Sequence, residues 1–325
     1  DMLSSVSIAG PGFINLVLSP ATFQAVAHAI RTEKADYGKS EAPAAQRKVN
    51  LEYVSANPTG PMHVGHGRWA ALGDAMARVM RHAGYEVSEE FYINDHGTQM
   101  DIFGMSISVR YLQALGHDVE MPENCYGGGY VKDIAQTIID ADGDKWVDVA
   151  DEDRIVAFRE IGYQQMLDNM KQTLSDFGTR FDTWFSERSL YVPDESGETA
   201  VDRAMRAMRD KGYVFEKDGA IWFRSTAFED EKDRVLIKAN GEMTYFMSDV
   251  AYHYDKMMRG FDHLIDLWGA DHHGYIKRCE AMMEAWGHPG MLEVVLGQLV
   301  NLLRDGQPVR MSKRTGEMVT FEELV

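Results

Sequence analysis

Three short segments of the sequence carry side chains suited to chemistry on a phosphorylated ligand. The first is Pro61–Gly67 (PMHVGHG), in which His63 and His66 are three residues apart and can share one side of a helix. Gly65 and Gly67 lack side chains and let a base or a phosphate approach the backbone. If a helix begins here, its unpaired N–H groups favour an anion. Two histidines in an ordinary turn are the alternative interpretation.

The second segment is Arg310–Gly316 (RMSKRTG), a short basic stretch near the carboxyl end. Lysine and arginine side chains can neutralise charge that develops on a transferring phosphate, which makes Lys313 a candidate for that role. A solvated basic turn is the alternative.

The third segment is Trp268–His273 (WGADHH), at the predicted end of a strand. Ligands of open α/β sheets bind beyond the carboxyl ends of the strands, where Gly269 would allow close approach and Asp271 could accept from ribose hydroxyls. Asp271 could instead cap the next helix. A metal site formed by Asp271, His272 and His273 is a third interpretation, but adjacent residues point apart, so the metal signal is weak.

The elements around the first segment alternate between strand and helix. Val49–Val54 alternates apolar and polar residues as a strand does, and a turn with Asn57 and Pro58 follows it. A helix is predicted over 66–83, a strand over 87–94 and a helix over 97–115. This order predicts an α/β fold with a parallel, doubly wound sheet. The apolar face predicted for the first helix consists of Leu72, Ala75, Met76, Val79, Met80 and Ala83.

The middle of the chain breaks this pattern. It contains acidic helices, including a long one near 152–177, and three short antiparallel strands predicted over 213–216, 220–224 and 235–238. The alternation resumes with a strand over 263–268, a helix over 275–286 and a strand region over 292–303. We therefore interpret 117–240 as an insertion into the α/β domain.

The composition limits the class of protein. The chain has 325 residues and a formal net charge of −18, from 33 basic and 51 acidic residues, which argues against broad nonspecific binding of nucleic acid. No run approaches the roughly 18 apolar residues of a membrane span. Cys125 and Cys279 cannot form a four-cysteine zinc site, and they fit a reducing cytoplasm.

The three segments together resemble the ordered signatures of class I aminoacyl-tRNA synthetases. His63–His66 (HVGH) is similar to the HIGH box, Trp268–Asp271 to the ribose motif and Arg310–Arg314 (RMSKR) to the KMSKS loop. Within the class, three stretches closely resemble bacterial arginyl-tRNA synthetases: Glu52–His66, Ala9–Asn15 and Tyr245–Val250. The resemblance covers essentially the whole chain.

The resemblance implies roles for particular residues. His63, His66 and Lys313 would be catalytic. The arginine-binding residues would be Glu52, Asn57, Tyr245, Asp249 and His272. The ATP-binding residues would be Gly65, Gly269, Asp271, Met311 and Ser312, and no protein-bound metal is expected. The physics agrees, because a guanidinium is always charged, offers five donors and suits carboxylates and a phenol. Without the family, Glu52 could be a solvated strand residue, Asn57 a turn residue, and Tyr245 with Asp249 an ordinary pair on a helix surface.

The resemblance also implies an organisation. Residues 1–47 would be the tail of an amino-terminal tRNA-binding domain plus a linker, 48–116 the first half of a Rossmann-type domain, 117–240 a connective insertion of α and β elements, and 241–325 the second half with the KMSKS-type loop. The family's helical anticodon-binding domain would follow that loop. The sequence therefore predicts a shortened catalytic core.

The implied substrates and partners are arginine, ATP with Mg²⁺, and the arginine tRNA, for a cytoplasmic monomer. Two positions bear on the family pattern: the first lysine of KMSKS is Arg310, and the lysine that some members carry before the HIGH box is Gly60 here. Two rivals remain. A cysteinyl synthetase would need a zinc-binding cysteine set, and a noncatalytic paralogue that binds nucleotide or RNA would not need intact histidines and Lys313.

Overall fold

A computed structural model describes residues 1–43, 46–298, 300, 302–304, 307–308 and 319–325. Its main sheet has five parallel strands: β3 (Lys48–Glu52), β4 (Glu86–Ile93), β5 (Thr183–Ser186), β9 (His263–Gly269) and β10 (Leu292–Gly297). Their order across the sheet is β10-β9-β3-β4-β5. The strand order reverses between β3 and β9, which is the switch point where open α/β sheets bind ligands. The predicted fold class is confirmed.

Helices cover both faces of this sheet. α2 (Val64–His82) packs on one face, and α7 (Tyr245–Met258) and α8 (Ile276–Trp286) pack on the other. α3 (Thr98–Ala114) instead belongs to a separate apolar cluster that contains no residue of this sheet. The odd residues of β3 pack in one apolar cluster with α2. The even residues, Asn50 and Glu52, are also buried and bond to side chains from other elements. β3 is therefore buried on both faces although it alternates like a half-exposed strand.

The buried face of α2 differs from the predicted one. Leu72 and Val79 are exposed, and the buried residues are Val64, Gly65, Gly67, Ala70, Gly73 and Ala77. A side chain at Gly73 would collide with the Tyr53 ring, since an added Cβ would lie 2.2 Å from its Cγ. The helix axis thus lies too close to β3 for large residues. Met76 and Met80 of the predicted face are half-buried and pack against the same cluster as Ala77, so hydrophobic periodicity gave the buried face only in part.

The segment over 117–240 contains three α-helices and four short strands, three of which form a sheet of their own. Its helices are α4 (Gly129–Asp142), α5 (Asp151–Phe177) and α6 (Ala200–Asp210). β6 (Val214–Lys217), β7 (Ala220–Phe223) and β8 (Arg234–Ile237) form an antiparallel sheet, as predicted. β5 lies inside the same segment but pairs with β4 of the main sheet. The segment therefore returns once to the main sheet before the antiparallel sheet begins.

The amino-terminal elements form few contacts with this core. β1 (Leu3–Ala9) and β2 (Phe13–Leu18) form a hairpin, and α1 (Pro20–Glu33) follows it with no buried residue. Near the carboxyl end, β11 (Leu303–Arg304) and β12 (Gln307–Pro308) form a second small hairpin. In the described part of the chain, no helix is both long and apolar enough to cross a membrane.

Candidate active site

A cavity of about 380 Å³ opens at the carboxyl ends of β3 and β9. It brings together four of the five residues predicted to bind arginine, together with one predicted for ATP. These are Glu52, Tyr245, Asp249, His272 and Gly269. The other lining residues are Val54, Ser55, Trp69, Asn94, Leu267, Trp268 and Tyr275. The cavity lies at the switch point of the sheet, where the fold favours a ligand site.

The chain turns sharply where β3 enters the cavity. Val54 has φ 69° and Ser55 has φ 41°, both in the left-handed region. For a β-branched valine this conformation is a genuine outlier, and such strain is concentrated at functional sites. Ser55 Oγ donates to Glu52 Oε1 at 2.9 Å and accepts from the Tyr92 backbone N–H at 3.1 Å. The turn therefore orients one oxygen of the Glu52 carboxylate.

The first turns of α7 supply the opposite wall. Tyr245 is 76 % exposed, and Asp249, four residues later, faces the same cavity. The Tyr275 hydroxyl donates to Asp249 Oδ2 at 2.5 Å. Burial raises the pKa of Asp249, and the hydrogen bond from Tyr275 opposes that shift. Tyr245 and Asp249 are thus cavity residues and not an ordinary surface pair.

A buried ionic cluster lies behind the cavity. Lys256 Nζ is 2.5 Å from Glu52 Oε2 and 2.8 Å from Asp266 Oδ1, and all three side chains are at least nine-tenths buried. His253 Nε2 lies 3.0 Å from the other Asp266 oxygen. Burial opposes ionisation of Asp266, but Lys256 and His253 hold its pKa well below the usual range. Glu52 is therefore part of a buried ion network and not a solvated strand residue.

His63 and His66 form a stacked pair at the start of α2. Their ring centroids are 3.8 Å apart, and His63 is the N-cap residue. His63 Nδ1 accepts from the Gly65 N–H at 3.1 Å, and His66 Nδ1 accepts from the His63 N–H at 3.0 Å. Each neutral ring consequently carries its proton on Nε2, which makes that atom a donor. An added Cβ at Gly65 would lie 2.7 Å from the His63 ring, so a larger residue there would displace that ring.

The ribose-type segment follows β9. Gly269 ends the strand, and Asp271 lies inside the 3-10 helix Ala270–Tyr275 that follows. The N-cap residue of α8 is Tyr275, so Asp271 does not cap that helix. Asp271 and His272 are exposed, and Asp271 Oδ2 lies 3.6 Å from His272 Nε2. Among the described residues, no group of three potential ligands could hold a metal ion, so the metal interpretation of Asp271, His272 and His273 gains no support.

Asn57 is the one residue predicted to bind arginine that the cavity lining does not include. Its side chain donates to Gln99 on α3. Met311, Ser312 and Lys313 lie outside the described residues. The chain that follows them contacts the histidine segment: the Val64 N–H donates to the Val319 carbonyl at 3.3 Å, and the Phe321 N–H donates to the Met62 carbonyl at 2.8 Å.

A second cavity of about 660 Å³ shares Tyr245 with the first. Glu187 lines it and is 5 % exposed. Burial raises the pKa of Glu187 to about 7, although hydrogen bonds with Ser248 and Tyr92 oppose the shift. Tyr245 therefore lies at the boundary of two adjoining spaces.

Sequence reasoning missed Lys256, Asp266, Tyr275 and Asn94. A signal was present for two of them. Asn94 directly follows β4 at the carboxyl edge of the sheet, and Asp266 interrupts an otherwise apolar buried strand. For Lys256 the signal was absent, because its partner Glu52 is 204 residues away in sequence.

Comparison with known proteins identifies this architecture. A sequence profile described as tRNA synthetases class I (R), catalytic domain, matches residues 27–325. The fold is thus that of a class I aminoacyl-tRNA synthetase catalytic domain. Within that class, the chain belongs to the arginine-type family.

Individual relatives agree with this assignment. Arginine–tRNA ligases of Geobacter sp. (strain M21) and Bacillus pumilus (strain SAFR-032) are both 47 % identical to the chain, over 100 % and 99 % of its length. The chain spans 58 % and 57 % of those relatives. A structure described as an arginyl-tRNA synthetase from Campylobacter jejuni has a TM-score of 0.83 at 37 % identity, covering 95 % of this chain and 66 % of that one. The Thermus thermophilus arginyl-tRNA synthetase, at 20 % identity, has a TM-score of 0.67 and shares the fold.

Proposed function

We propose that this chain is the catalytic part of an arginine–tRNA ligase. In the first step, the carboxylate of arginine attacks the α-phosphorus of ATP, arginyl-adenylate forms and pyrophosphate leaves. In the second step, the arginyl group passes to the arginine tRNA and AMP leaves. The observation that carries the proposal is the cavity in which Glu52, Asp249 and Tyr245 converge at the switch point of the sheet.

The arginine subsite rests on charge and hydrogen bonding. The guanidinium is a planar cation with five donors, and a half-buried carboxylate such as Asp249 is a strong partner for it. Glu52 and the Tyr245 hydroxyl add an anion and a further polar group at the same cavity. His272 is assigned to the rim, since its side chain is 61 % exposed. Asn57 would have to exchange its bond to Gln99 to reach the ligand.

The ATP subsite uses the start of α2 and the end of β9. His63, His66 and Lys313 would stabilise negative charge that builds on the phosphates in the transition state. Gly65 would let a phosphate or the base approach the backbone. Gly269 and Asp271 would bind the ribose, and Met311 and Ser312 would contact the nucleotide from the KMSKS-type segment. No side chain needs to form a covalent intermediate, because positioning and electrostatics carry this chemistry.

The remaining parts of the proposal concern Mg²⁺, assembly and compartment. Mg²⁺ commonly binds through substrate phosphates with few protein ligands, and we propose that it enters this site together with ATP. We assign the protein to the cytoplasm, where cysteines such as the unbridged Cys125 and Cys279 stay reduced. A monomer is the simplest assembly, and light scattering would test it.

The function is tested by ATP–pyrophosphate exchange with each of the common amino acids, with and without tRNA. Exchange with arginine alone among them supports the assignment. Exchange with cysteine would support the rival synthetase. No exchange with any amino acid under either condition, while nucleotide or RNA still binds, would support a noncatalytic paralogue instead.

A further inference from the structure

Lys256 belongs to the buried ionic cluster behind the cavity that we propose binds arginine, and it does not line the cavity itself. Its side chain is 0 % exposed, and its ammonium contacts Glu52 of β3 and Asp266 of β9. Its own helix, α7, carries Tyr245 and Asp249 two to three turns earlier. One buried cation therefore joins the three elements that form the cavity walls.

The contacts of Glu52 show what this cation does locally. Glu52 Oε2 bonds to Lys256, and Glu52 Oε1 bonds to Ser55 in the strained turn. The carboxylate is thus held from both sides, with one partner on the turn and the other on α7. A buried carboxylate keeps its charge only when an opposite charge or hydrogen bonds compensate for lost hydration.

We propose that Lys256 is a positioning residue for arginine binding, which holds the Glu52 carboxylate in its binding orientation and in its ionised form. The inference rests on the proposed function, since it assumes that the cavity binds arginine. It assigns to Lys256 the positive charge opposite Glu52, whereas Ser55, which lines the cavity, holds only the other carboxylate oxygen.

The electrostatic surroundings of Glu52 determine what loss of Lys256 would do. Burial raises the pKa of Glu52, and Lys256 is the main opposing influence. The other facing groups are anions or phenols: Asp266 on β9, Glu90 and Tyr92 on β4, and Tyr252 on α7, with Asp249 on the same cavity. Without Lys256, like charges would therefore raise the pKa of Glu52 further.

The test is arginine binding by calorimetry from pH 6 to 8.5 with Lys256→Met. We expect an affinity loss of at least about tenfold at pH 6.5. The affinity should recover as the pH rises, by about tenfold for each pH unit below the raised pKa, because one proton must leave Glu52. The double variant Glu52→Gln/Lys256→Met should show no such slope. ATP affinity should stay within about twofold of the wild type in both.

Controls keep the outcomes distinct. Lys277→Met removes an exposed lysine of α8 that pairs with Glu280, and it should bind arginine like the wild type. If Lys256→Met does not fold in thermal unfolding, Asp266→Asn/Lys256→Met removes a carboxylate together with the ammonium and should show the same slope. Unchanged arginine affinity, or a loss that is equal at every pH, would overturn the inference. A wild type that binds no arginine would overturn the proposed function instead.

Discussion

Asp249 lies in the second turn of α7, where it faces the cavity and accepts a hydrogen bond from the Tyr275 hydroxyl. If it binds the guanidinium, Asp249→Asn should lower arginine affinity by roughly 10- to 100-fold, since hydrogen bonds to charged groups contribute about 1.5–3 kcal/mol. ATP affinity should not change. The matched control is Asp255→Asn on the same helix, whose carboxylate pairs with Arg259. An equal loss for arginine and ATP in calorimetry would show that Asp249 is not an arginine ligand.

Glu187 makes the stability of the protein depend on pH. Its pKa is about 7 when folded against an ordinary value of 4.5, so between these values the folded chain holds a proton that the unfolded chain has released. Its contribution is complete below about pH 4.5 and is lost as the pH rises through 7. Wild type should therefore lose up to about 3 kcal/mol more than Glu187→Gln between pH 4.5 and 7.5 in urea unfolding. Identical pH profiles of the two proteins would refute this.

At the scale of residues, the sequence predicted the side chains that line the cavity better than the buried side chains behind them. Glu52, Tyr245, Asp249 and His272 meet at one cavity although they are distant in sequence, because family resemblance carried that information. Periodicity alone left Glu52 as a surface residue, since an alternating strand is usually half-exposed. Periodicity could not reveal that the second face of β3 is also buried, because there Glu52 pairs with the buried Lys256.

At the scale of elements, the strand–helix order of the sheet follows from the sequence, and the packing of α2 does not. The buried face of α2 includes Gly67, Ala70, Gly73 and Ala77, so small size, and not hydrophobicity, marks that face. Such a face has no strong signal in hydrophobic periodicity, because larger apolar residues beside it dominate the pattern. β5 was also missed, because it is only four residues long and lies between the helices α5 and α6.

This packing predicts the effect of Gly73→Ala. The added methyl would lie 2.2 Å from the buried Tyr53 ring, so the ring or the helix must shift. Overpacking of this kind costs about 1–3 kcal/mol, which should exceed the gain of about 1 kcal/mol from helix propensity. Gly129→Ala in the first turn of α4 is the control, because its new Cβ would meet no atom within 4 Å. Chemical denaturation should show Gly73→Ala to be the less stable variant, and equal stabilities would contradict the packing.

At the scale of the whole molecule, the chain contains a complete parallel sheet but spans 57–58 % of the ligases that it resembles. Its net charge of −18 gives little of the phosphate neutralisation on which RNA affinity depends. We therefore predict that the 325-residue chain folds and binds arginine and ATP, but charges tRNA at least about tenfold more slowly than a full-length relative. Charging assays that compare the rate of this chain with that of a full-length relative check this, and near-equal rates would contradict it.

The most direct test of the central claim is the binding of arginine and citrulline to this chain. Citrulline has nearly the shape of arginine but carries a neutral urea in place of the guanidinium. If the carboxylates at the cavity recognise a cation, arginine should bind and citrulline should bind at least about 100-fold more weakly, since an uncompensated buried charge is costly. Calorimetry at pH 7.5 measures both. Comparable affinities for the two amino acids, or binding of neither, would contradict the account.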